Sequence, residues 1–241
     1  MEVAGKKLIL KDIGMQFPYA GVFYAEYGGP AAIMALMALR PAFIFGDGAS
    51  AQAWTLAAQI GVAAWVLHYV KRILETAFVH KFSRETMPIT NLFKNCGYYW
   101  GYTLLNAYVL CNPAYVAPYG DSSTVLYSMA AAFAVSELLN LQTHIQLASA
   151  NTGESSKSKS KDGRVIAVRE AVTGGLFQLV ACPNYTFEVL AWVLWSAMTN
   201  MAFGWLFGLT GLAQMTQWAY QKHSKYVKQE KAKRDAIKAA H

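Results

Sequence analysis

The sequence of 241 residues is poor in cysteine and in charge. Its three cysteines, Cys96, Cys111 and Cys182, are scattered and odd in number, so they imply neither a disulfide framework nor a CxxC metal site. Only 15% of the residues are charged whereas 55% are hydrophobic, a balance that is unusual for a soluble domain. The N-terminal segment lacks the apolar core of a cleavable signal peptide. These deficits indicate a membrane protein whose first apolar segment acts as the insertion signal.

Apolar stretches long enough to cross a membrane recur along the chain. A crossing takes about 20 predominantly apolar residues, and the windows that qualify are residues 18–39, 51–70, 97–118, 124–147 and 174–219. The last window is long enough for two crossings, and its Gly204, Gly208 and Gly211 offer a break or a close helix contact. The sequence therefore predicts an all-α fold, a polytopic integral membrane bundle of about six transmembrane helices in one domain, residues 1–241.

Lysine and arginine are unevenly distributed among the predicted loops. They are frequent before the first span, after the second and fourth spans and in the C-terminal tail, but residues 41–67 and 112–124 contain none. Basic residues accumulate in cytoplasmic loops of membrane proteins, so both termini and both basic loops are predicted on the cytosolic face. Arg40, at the end of the first span, is the exception. The net charge of +7 then reflects topology and anionic headgroups, and no nucleic-acid partner is expected.

Two segments outside the spans have a distinctive composition. Residues 148–164 are rich in Ser, Lys and Gly and have no apolar periodicity, which predicts a mobile basic loop. Residues 221–241 carry many charges and predict a helix that leaves the bilayer.

The residues able to do chemistry begin at the end of the second span. At helical spacing, His68, Arg72 and Glu75 lie on one stripe, with Lys71 one turn before Glu75. Basic side chains that reach to lipid phosphates would explain this pattern without any function. A functional site is the alternative, because ionisable groups near hydrocarbon are costly unless they are paired. Hydrogen-bond donors in this cluster and directly after it suit a phosphate-rich substrate. These donors are Lys71, His80, Lys81 and Lys94.

A second cluster lies inside the fourth span. Glu137, Asn140 and His144 occupy positions i, i+3 and i+7, so their side chains project from one face of the helix. They form either an interhelical hydrogen-bond network or the wall of a ligand cavity.

A third cluster is the string CPNYTFE at residues 182–188. Asn184 and Glu188 lie one helical turn apart. Tyr185 is either a residue of the interfacial aromatic belt or a proton donor whose acidity depends on nearby cations and hydrogen bonds. The last span ends in a mixed group that suits either aromatic anchoring or a phosphate, Trp218, Lys222, His223, Lys225 and Tyr226.

Taken in order, these clusters resemble the very-long-chain trans-2-enoyl-CoA reductases, which belong to the steroid 5α-reductase superfamily. The resemblance runs through most of the chain and is most specific in the strings ETAFVHKFSRETMP (residues 75–88) and CPNYTFE. It continues in NLQTHIQL (residues 140–147) and in GLAQMTQWAYQKHSKYVK (residues 211–228). The family implies a membrane-helix bundle that takes up NADPH from the cytosolic side. It holds the dinucleotide between helices, so the lack of a GxGxxG motif does not argue against the cofactor.

The resemblance also implies roles for individual residues. In the family, NADPH supplies a hydride to a trans-2-enoyl-CoA, which becomes the saturated acyl-CoA of fatty-acid elongation. By resemblance, Tyr185 is the catalytic acid and Glu75 is its partner. The residues expected at the cofactor are Asn140, His144, Asn184, Glu188, His223 and Tyr226. No metal is expected.

Two departures from the family pattern concern the ends of the chain. Family members commonly carry an N-terminal ubiquitin-like domain, whereas about 17 residues precede the first span here. They usually end in a Tyr-Pro-containing segment with an apolar close, whereas Tyr226 is followed by VKQEKAKRDAIKAAH. The endoplasmic reticulum is the expected location, with the mitochondrial inner membrane as the alternative. Expected partners are the acyl-CoA substrate, membrane lipids, and either other elongation-cycle enzymes or a multi-subunit membrane complex.

Two other functions compete with enoyl-CoA reduction. The altered C-terminal pattern suggests a catalytically inactive, reductase-like structural subunit of a larger membrane complex. A related reductase acting on a sterol or polyprenol double bond ranks last, because the TMP and CPNY strings are closer to the acyl-CoA branch.

Overall fold

The computed structural model describes residues 14–82, 84–150, 172 and 174–239, together with four short strand segments elsewhere. The helices among these residues are α1 (Tyr19–Ala38), α2 (Ala42–Phe45), α3 (Leu56–Phe78), α4 (Ile89–Leu110), α5 (Ser123–Ala150), α6 (Pro183–Thr199) and α7 (Ala202–Ala239). The strands are β1 (Glu2–Val3), β2 (Lys6–Lys7), β3 (Gln16–Pro18), β4 (Thr86–Pro88), β5 (Lys157–Lys159) and β6 (Val165–Ala167). Helices dominate, which confirms the all-α class.

Local signals explain where the main helices begin. Pro18 and Pro88 precede α1 and α4, and Pro183 is the first residue of α6, positions that suit a residue with fixed φ and no N–H donor. The start of α3 is capped twice. The Thr55 side chain accepts from Ala58 N at 3.2 Å, and the Asp121 carboxylate accepts from the first two backbone N–H groups of the helix at 2.8 and 3.0 Å.

The β3–β4 ladder aligns the two helices that follow it. Phe17 pairs with Met87 in an antiparallel register, and α1 and α4 begin directly after the two strands. The two helices then pack along each other. Gly29 of α1 permits this approach, because the Trp100 indole of α4 occupies the space that a Cβ would need.

The core of the bundle is built from aromatic side chains of α3 and α6. Trp65, Trp192 and Trp195 are buried, with ring centroids of Trp65 and Trp195 4.7 Å apart. Trp195 Nε1 donates to the Gly61 carbonyl at 2.9 Å, which satisfies a polar group that would otherwise be costly to bury. This packing fixes α6 against the helix that carries most of the ionisable residues.

The last apolar window is divided at Asn200, which has a φ of 49° between α6 and α7. Asparagine tolerates this left-handed conformation better than most residues. The predicted glycines do not form the break. Gly204 instead lies against Trp195, where a Cβ would come within 2.6 Å of the indole, so it serves as a close helix contact.

Arg40, the exception in the charge pattern, is a buried structural residue. Its Nε donates to the Cys111 carbonyl at 2.7 Å and its Nη1 to the Gln52 carbonyl at 2.8 Å. The guanidinium also lies 3.7 Å from the Trp54 ring centroid, a cation–π contact. Arg40 therefore joins the connections at one end of the bundle.

The helices differ from the predicted spans at several ends. α3 continues eight residues beyond the predicted limit at 70, and α4 occupies Ile89–Leu110 instead of 97–118. The predicted loop at 148–164 starts later, because α5 extends to Ala150 and Lys157–Lys159 forms β5. Its residues 151–156 and 160–164 lie outside the described residues. The predicted charged helix from residue 221 is the continuation of α7, and residues 240–241 are likewise not described.

The number of membrane spans is not established by the helices. Among the described residues, only α5 combines the length and the mean hydropathy, 1.4, of a membrane-crossing helix. Lys71, Arg72 and Glu75 lower the hydropathy of α3. The structure thus supports the helical bundle and leaves the count of about six spans as a prediction.

Candidate active site

Glu75 lies at the centre of a buried polar cluster on α3. Its side chain is 1% exposed, and its Oε2 is 2.5 Å from Arg72 Nη1 and 3.0 Å from His144 Nδ1. Lys71 Nζ lies 3.6 Å from the other carboxylate oxygen. A buried carboxylate is tolerated only when cations and hydrogen bonds replace its water. The structure therefore brings the predicted stripe of α3 together with His144 of α5.

A second carboxylate, Glu137, continues the cluster from α5. Its Oε2 is 2.7 Å from Lys71 Nζ, and its Oε1 is 2.9 Å from His68 Nδ1. Lys71 Nζ also donates to Asn140 Oδ1 at 2.6 Å. Lys71 thus contacts Glu137 and Asn140, which are one helical turn apart on the predicted face of α5.

A third carboxylate, Glu188, comes from α6. Its Oε1 accepts from Trp192 Nε1 at 3.1 Å and lies 3.4 Å from His68 Nε2. Asn140 Nδ2 donates to the Asn184 carbonyl at 2.9 Å and to Glu188 Oε2 at 3.3 Å. Four residues expected at the cofactor therefore share one network: Asn140, His144, Asn184 and Glu188. We call the network of these four residues with His68, Lys71, Arg72, Glu75 and Glu137 the three-carboxylate network.

Both ring nitrogens of His68 face carboxylate oxygens, Nδ1 that of Glu137 and Nε2 that of Glu188. Lys71 and Arg72 supply the cations that pair with Glu75 and Glu137. A densely paired buried network is rigid and costly to disturb.

The Glu75, His80 and His144 ligand atoms lie within 4.8 Å of one another, a spacing that resembles a metal site. The Arg72 guanidinium already bonds both Glu75 and His144, and a divalent cation there would lie beside Arg72 and Lys71. Coulomb repulsion in a buried site makes that unfavourable. Burial, together with Arg72 and His144, lowers the pKa of His80 to about 3, so neutral His80 adds no charge. The Arg72 guanidinium therefore takes the place that a metal ion would occupy between Glu75 and His144.

Tyr185, the predicted acid, lies apart from Glu75 at the α6–α7 contact. Its hydroxyl accepts a hydrogen bond from Lys222 Nζ at 2.7 Å, and its ring centroid is 6.3 Å from that of Trp218. Within the described residues Tyr185 and Glu75 share no hydrogen bond. Tyr185 reaches the three-carboxylate network through its neighbour Asn184, whose carbonyl is bonded to Asn140. The direct pairing expected of the two side chains is therefore absent from this arrangement.

A cavity of about 220 Å³ is lined by Asn184 and by Lys222, the hydrogen-bond partner of Tyr185, whereas Tyr185 itself is not part of the lining. Its polar lining consists of Asn184, Lys222 and Tyr226, so an amide, an ammonium and a phenol converge on one space. The apolar remainder of the lining is Leu147, Val172, Phe177, Ala181 and Cys182. Two of the residues expected at the cofactor, Asn184 and Tyr226, thus face one cavity next to the three-carboxylate network.

Three predicted site residues lie elsewhere. His223 is on the exposed side of α7 and is not part of the cavity lining that contains Lys222 and Tyr226. Lys81 follows α3 and Lys94 is on α4, and both are exposed. Of the three lysines predicted to bind phosphate, only Lys71 lies in the three-carboxylate network. Its Nζ is already paired there with Glu75 and Glu137.

The structure also reveals buried polar residues that the sequence reasoning missed. Tyr69 is 0% exposed and its hydroxyl has no hydrogen-bond partner among the described residues. Glu26 is 3% exposed and accepts from Asn95 Nδ2 at 2.8 Å. Tyr27, between them in space, accepts from Arg72 Nη2 at 3.0 Å and lies 6.2 Å from the Tyr69 ring. Glu26 could have been found, because it is the sole acidic residue of the first apolar window.

The described helices form a bundle with a densely paired polar interior beside a cavity, an arrangement that can hold a polar ligand. Sequence comparisons identify the family of the chain. The profile of the 3-oxo-5-alpha-steroid 4-dehydrogenase family matches residues 85–236. The chain is 41% identical, over 96% of its length and 73% of the relative, to a putative enoyl-CoA reductase of Trypanosoma brucei brucei.

Two further relatives carry related names. The chain is 40% identical to a probable very-long-chain enoyl-CoA reductase of Caenorhabditis elegans, over 92% of the chain and 70% of the relative. It is 37% identical to a very-long-chain enoyl-CoA reductase of Dictyostelium discoideum, over 94% of the chain and 70% of the relative. The chain belongs to the very-long-chain trans-2-enoyl-CoA reductase family of the steroid 5α-reductase superfamily, which confirms the resemblance seen in its motifs.

Proposed function

We propose that the protein is an NADPH-dependent reductase that converts trans-2-enoyl-CoA to saturated acyl-CoA in fatty-acid elongation. Family membership supports the reaction class. The observation that carries the proposal is the assembly of Glu75, Arg72 and His144 into a buried ionic cluster, continuous with Asn140 and Glu188. Ionisable groups that are removed from water and paired in this way cluster at functional sites.

The residues around the cavity fit a nicotinamide cofactor. Asn184, Lys222 and Tyr226 present amide, cationic and phenolic groups, which suit the amide and phosphate groups of a dinucleotide. The residues that would hold it are these three with Asn140, His144 and Glu188. When bound, NADPH would supply the hydride for the β-carbon. His223 is exposed, so we propose that it contacts the cofactor from outside the cavity. Lys81 and Lys94 are also exposed and suit the phosphates of CoA at the edge of the site.

The proposed acid is a tyrosine that gives its O–H proton to the α-carbon of the reduced substrate. Lys222 donates a hydrogen bond to Tyr185 Oη, so the hydroxyl proton of Tyr185 stays available. The phenolate left after transfer would face an ammonium group at once. Tyr69 is the second candidate, because its buried hydroxyl has no partner among the described residues and so is free to meet a substrate carbonyl. Glu75 orients Arg72 and His144.

The proposed topology places the six long helices across a membrane. A helix of 20 residues, such as α1, spans about 30 Å, the thickness of the hydrocarbon core. Large apolar side chains point outward at many positions, for example Leu36 (62% exposed), Leu67 (66%) and Leu138 (65%), which suits contact with lipid. We place the protein in the endoplasmic reticulum, with the termini and basic loops in the cytosol. Acyl-CoA, membrane lipids and the other elongation-cycle enzymes are its proposed partners.

Turnover of a defined substrate tests the proposal. Purified protein in detergent is expected to oxidise NADPH only when a long-chain trans-2-enoyl-CoA is added, and to release the saturated acyl-CoA as detected by mass spectrometry. NADH in place of NADPH tests the cofactor assignment. Folded protein that shows no turnover across a series of chain lengths would reject the function. The interpretation as an inactive subunit is not favoured, since the relatives carry the names of reductases.

A further inference from the structure

Glu137 contacts two side chains of α3 from the opposite helix. It lies on α5 with its side chain 13% exposed, and its Oε1 is 2.9 Å from His68 Nδ1. Its Oε2 is 2.7 Å from Lys71 Nζ, an ion pair without a hydrogen bond. The family resemblance assigns no role to Glu137. A carboxylate with a partner at each oxygen in a largely buried setting is expected to be conformationally fixed.

Each partner of Glu137 leads to a residue proposed for the cofactor. Lys71 donates to Asn140 Oδ1 at 2.6 Å. Through its second nitrogen, His68 lies 3.4 Å from Glu188 Oε1. Asn140 and Glu188 are in turn bonded to each other at 3.3 Å. The five side chains therefore form a closed ring of contacts, in which Asn140 is the member bonded to Asn184 of the cavity lining.

Loss of the Glu137 charge would redirect Lys71. Its Nζ is already 3.6 Å from Glu75 Oε1, an oxygen without a hydrogen bond among the described residues. Without the charge of Glu137, Lys71 would be drawn toward Glu75, because a cation removed from water must find an anion. Asn140 would then lose the donor that orients its amide.

We propose that Glu137 is a positioning residue for the nicotinamide cofactor. It holds Lys71 and His68 so that Asn140 and Glu188 present fixed hydrogen-bonding groups. This role rests on the proposed function. It predicts that the charge of Glu137 controls cofactor affinity more than the chemical step.

Glu137→Gln tests the role because it keeps the shape of the side chain and removes its charge. The dissociation constant of NADPH, measured by the change in cofactor fluorescence on the purified protein, is expected to rise about tenfold, the size of coupling that contacting charged groups show. The KM for the enoyl-CoA is expected to change less than about threefold. Glu230→Gln is the matched control, since Glu230 is a half-exposed carboxylate paired with Arg234 on α7, and its NADPH affinity should equal that of the wild type.

A double-mutant cycle separates positioning from a general loss of stability. If Glu137 acts through Lys71, the effects of Glu137→Gln and Lys71→Met on NADPH affinity are expected to be strongly non-additive. Additive effects would overturn the proposal, as would an unchanged dissociation constant in a folded Glu137→Gln protein. Should Glu137→Gln not fold, Glu137→Asp decides the matter. It keeps the charge but retracts it, and an NADPH affinity equal to that of the wild type would then count against positioning.

The two levels of inference fail in different ways. A wild-type protein that reduces enoyl-CoA while Glu137→Gln binds NADPH normally would reject only the role of Glu137. A folded wild-type protein that binds no NADPH and has no turnover would reject the proposed function, and the positioning role with it.

Discussion

Arg40, which is buried, and Arg72, which is partly buried, have different kinds of hydrogen-bond partner. Arg40 bonds to backbone carbonyls of Gln52 and Cys111 and covers the Trp54 ring. Arg72 bonds to side chains, among them Glu75 and His144. Backbone carbonyls are held in place by the chain that carries them, so Arg40 fixes the connections around it. Side chains can change rotamer, so the partners of Arg72 can adjust to a ligand.

The strongest test of this contrast is Glu75→Gln. Removal of the charge leaves Arg72 and Lys71 buried with one anion fewer, and turnover is expected to fall about a thousandfold, as for the loss of a preorganised electrostatic group. The kcat for enoyl-CoA reduction measures the effect. Glu85→Gln, at an exposed position, is the control and should keep wild-type activity. Near-normal turnover of Glu75→Gln would show that the Arg72 cluster is as structural as Arg40.

Substitution of Tyr185 and Tyr69 shows which of the two tyrosines is the proton donor. Tyr185→Phe is expected to lower kcat about a hundredfold, because it removes one proton donor, while the NADPH dissociation constant stays within about twofold. Tyr69→Phe should then have a much smaller effect. The reverse ranking would place the acid at the unpartnered hydroxyl of Tyr69. Tyr220→Phe, at a residue that is 73% exposed, checks that loss of a hydroxyl alone does not change the rate.

Arg40→Met is expected to act on stability instead of chemistry. It deprives the buried Cys111 carbonyl oxygen of its donor, which costs about 1–3 kcal/mol, and it removes the bond to the Gln52 carbonyl and the contact with Trp54. The midpoint of thermal unfolding in detergent should fall, whereas the KM values for NADPH and enoyl-CoA should not change. Arg234→Met, on an exposed part of α7, provides the comparison. A selective rise of either KM in Arg40→Met would contradict its structural assignment.

The smallest predicted effect comes from His80. Its pKa of about 3 in the folded protein lies below the ordinary value of 6.5, so the unfolded chain takes up a proton at a higher pH than the folded one. Stability is therefore lost as the pH falls from about 6.5 toward 3, by about 2 kcal/mol between pH 7 and pH 5. Unfolding midpoints of the wild type and His80→Gln, compared at the two pH values, measure it. Identical pH dependence in the two proteins would remove His80 as the cause.

Much of the candidate site was visible in the sequence because it obeys helical spacing. Glu137, Asn140 and His144 share a face as predicted, and the structure joins that face to the α3 stripe containing Glu75. The meeting of the two helices was not predictable, since nothing local states which face of α3 meets α5. The Lys222 partner of Tyr185 also escaped notice, because the two residues are 37 positions apart and lie on different helices.

The chain's own order of residues determined the all-α class, the family and the one-turn clusters, since these depend on composition, motifs and a period of 3.6 residues. Tertiary packing alone decided where the helices end, that Arg40 is structural, and that Tyr185 lies outside the three-carboxylate network that contains Glu75. The physical reason is that helix packing brings a buried charge together with partners that are far away in the sequence. Each such charge must be compensated, and this requirement outweighs the local conformational preference of the residue.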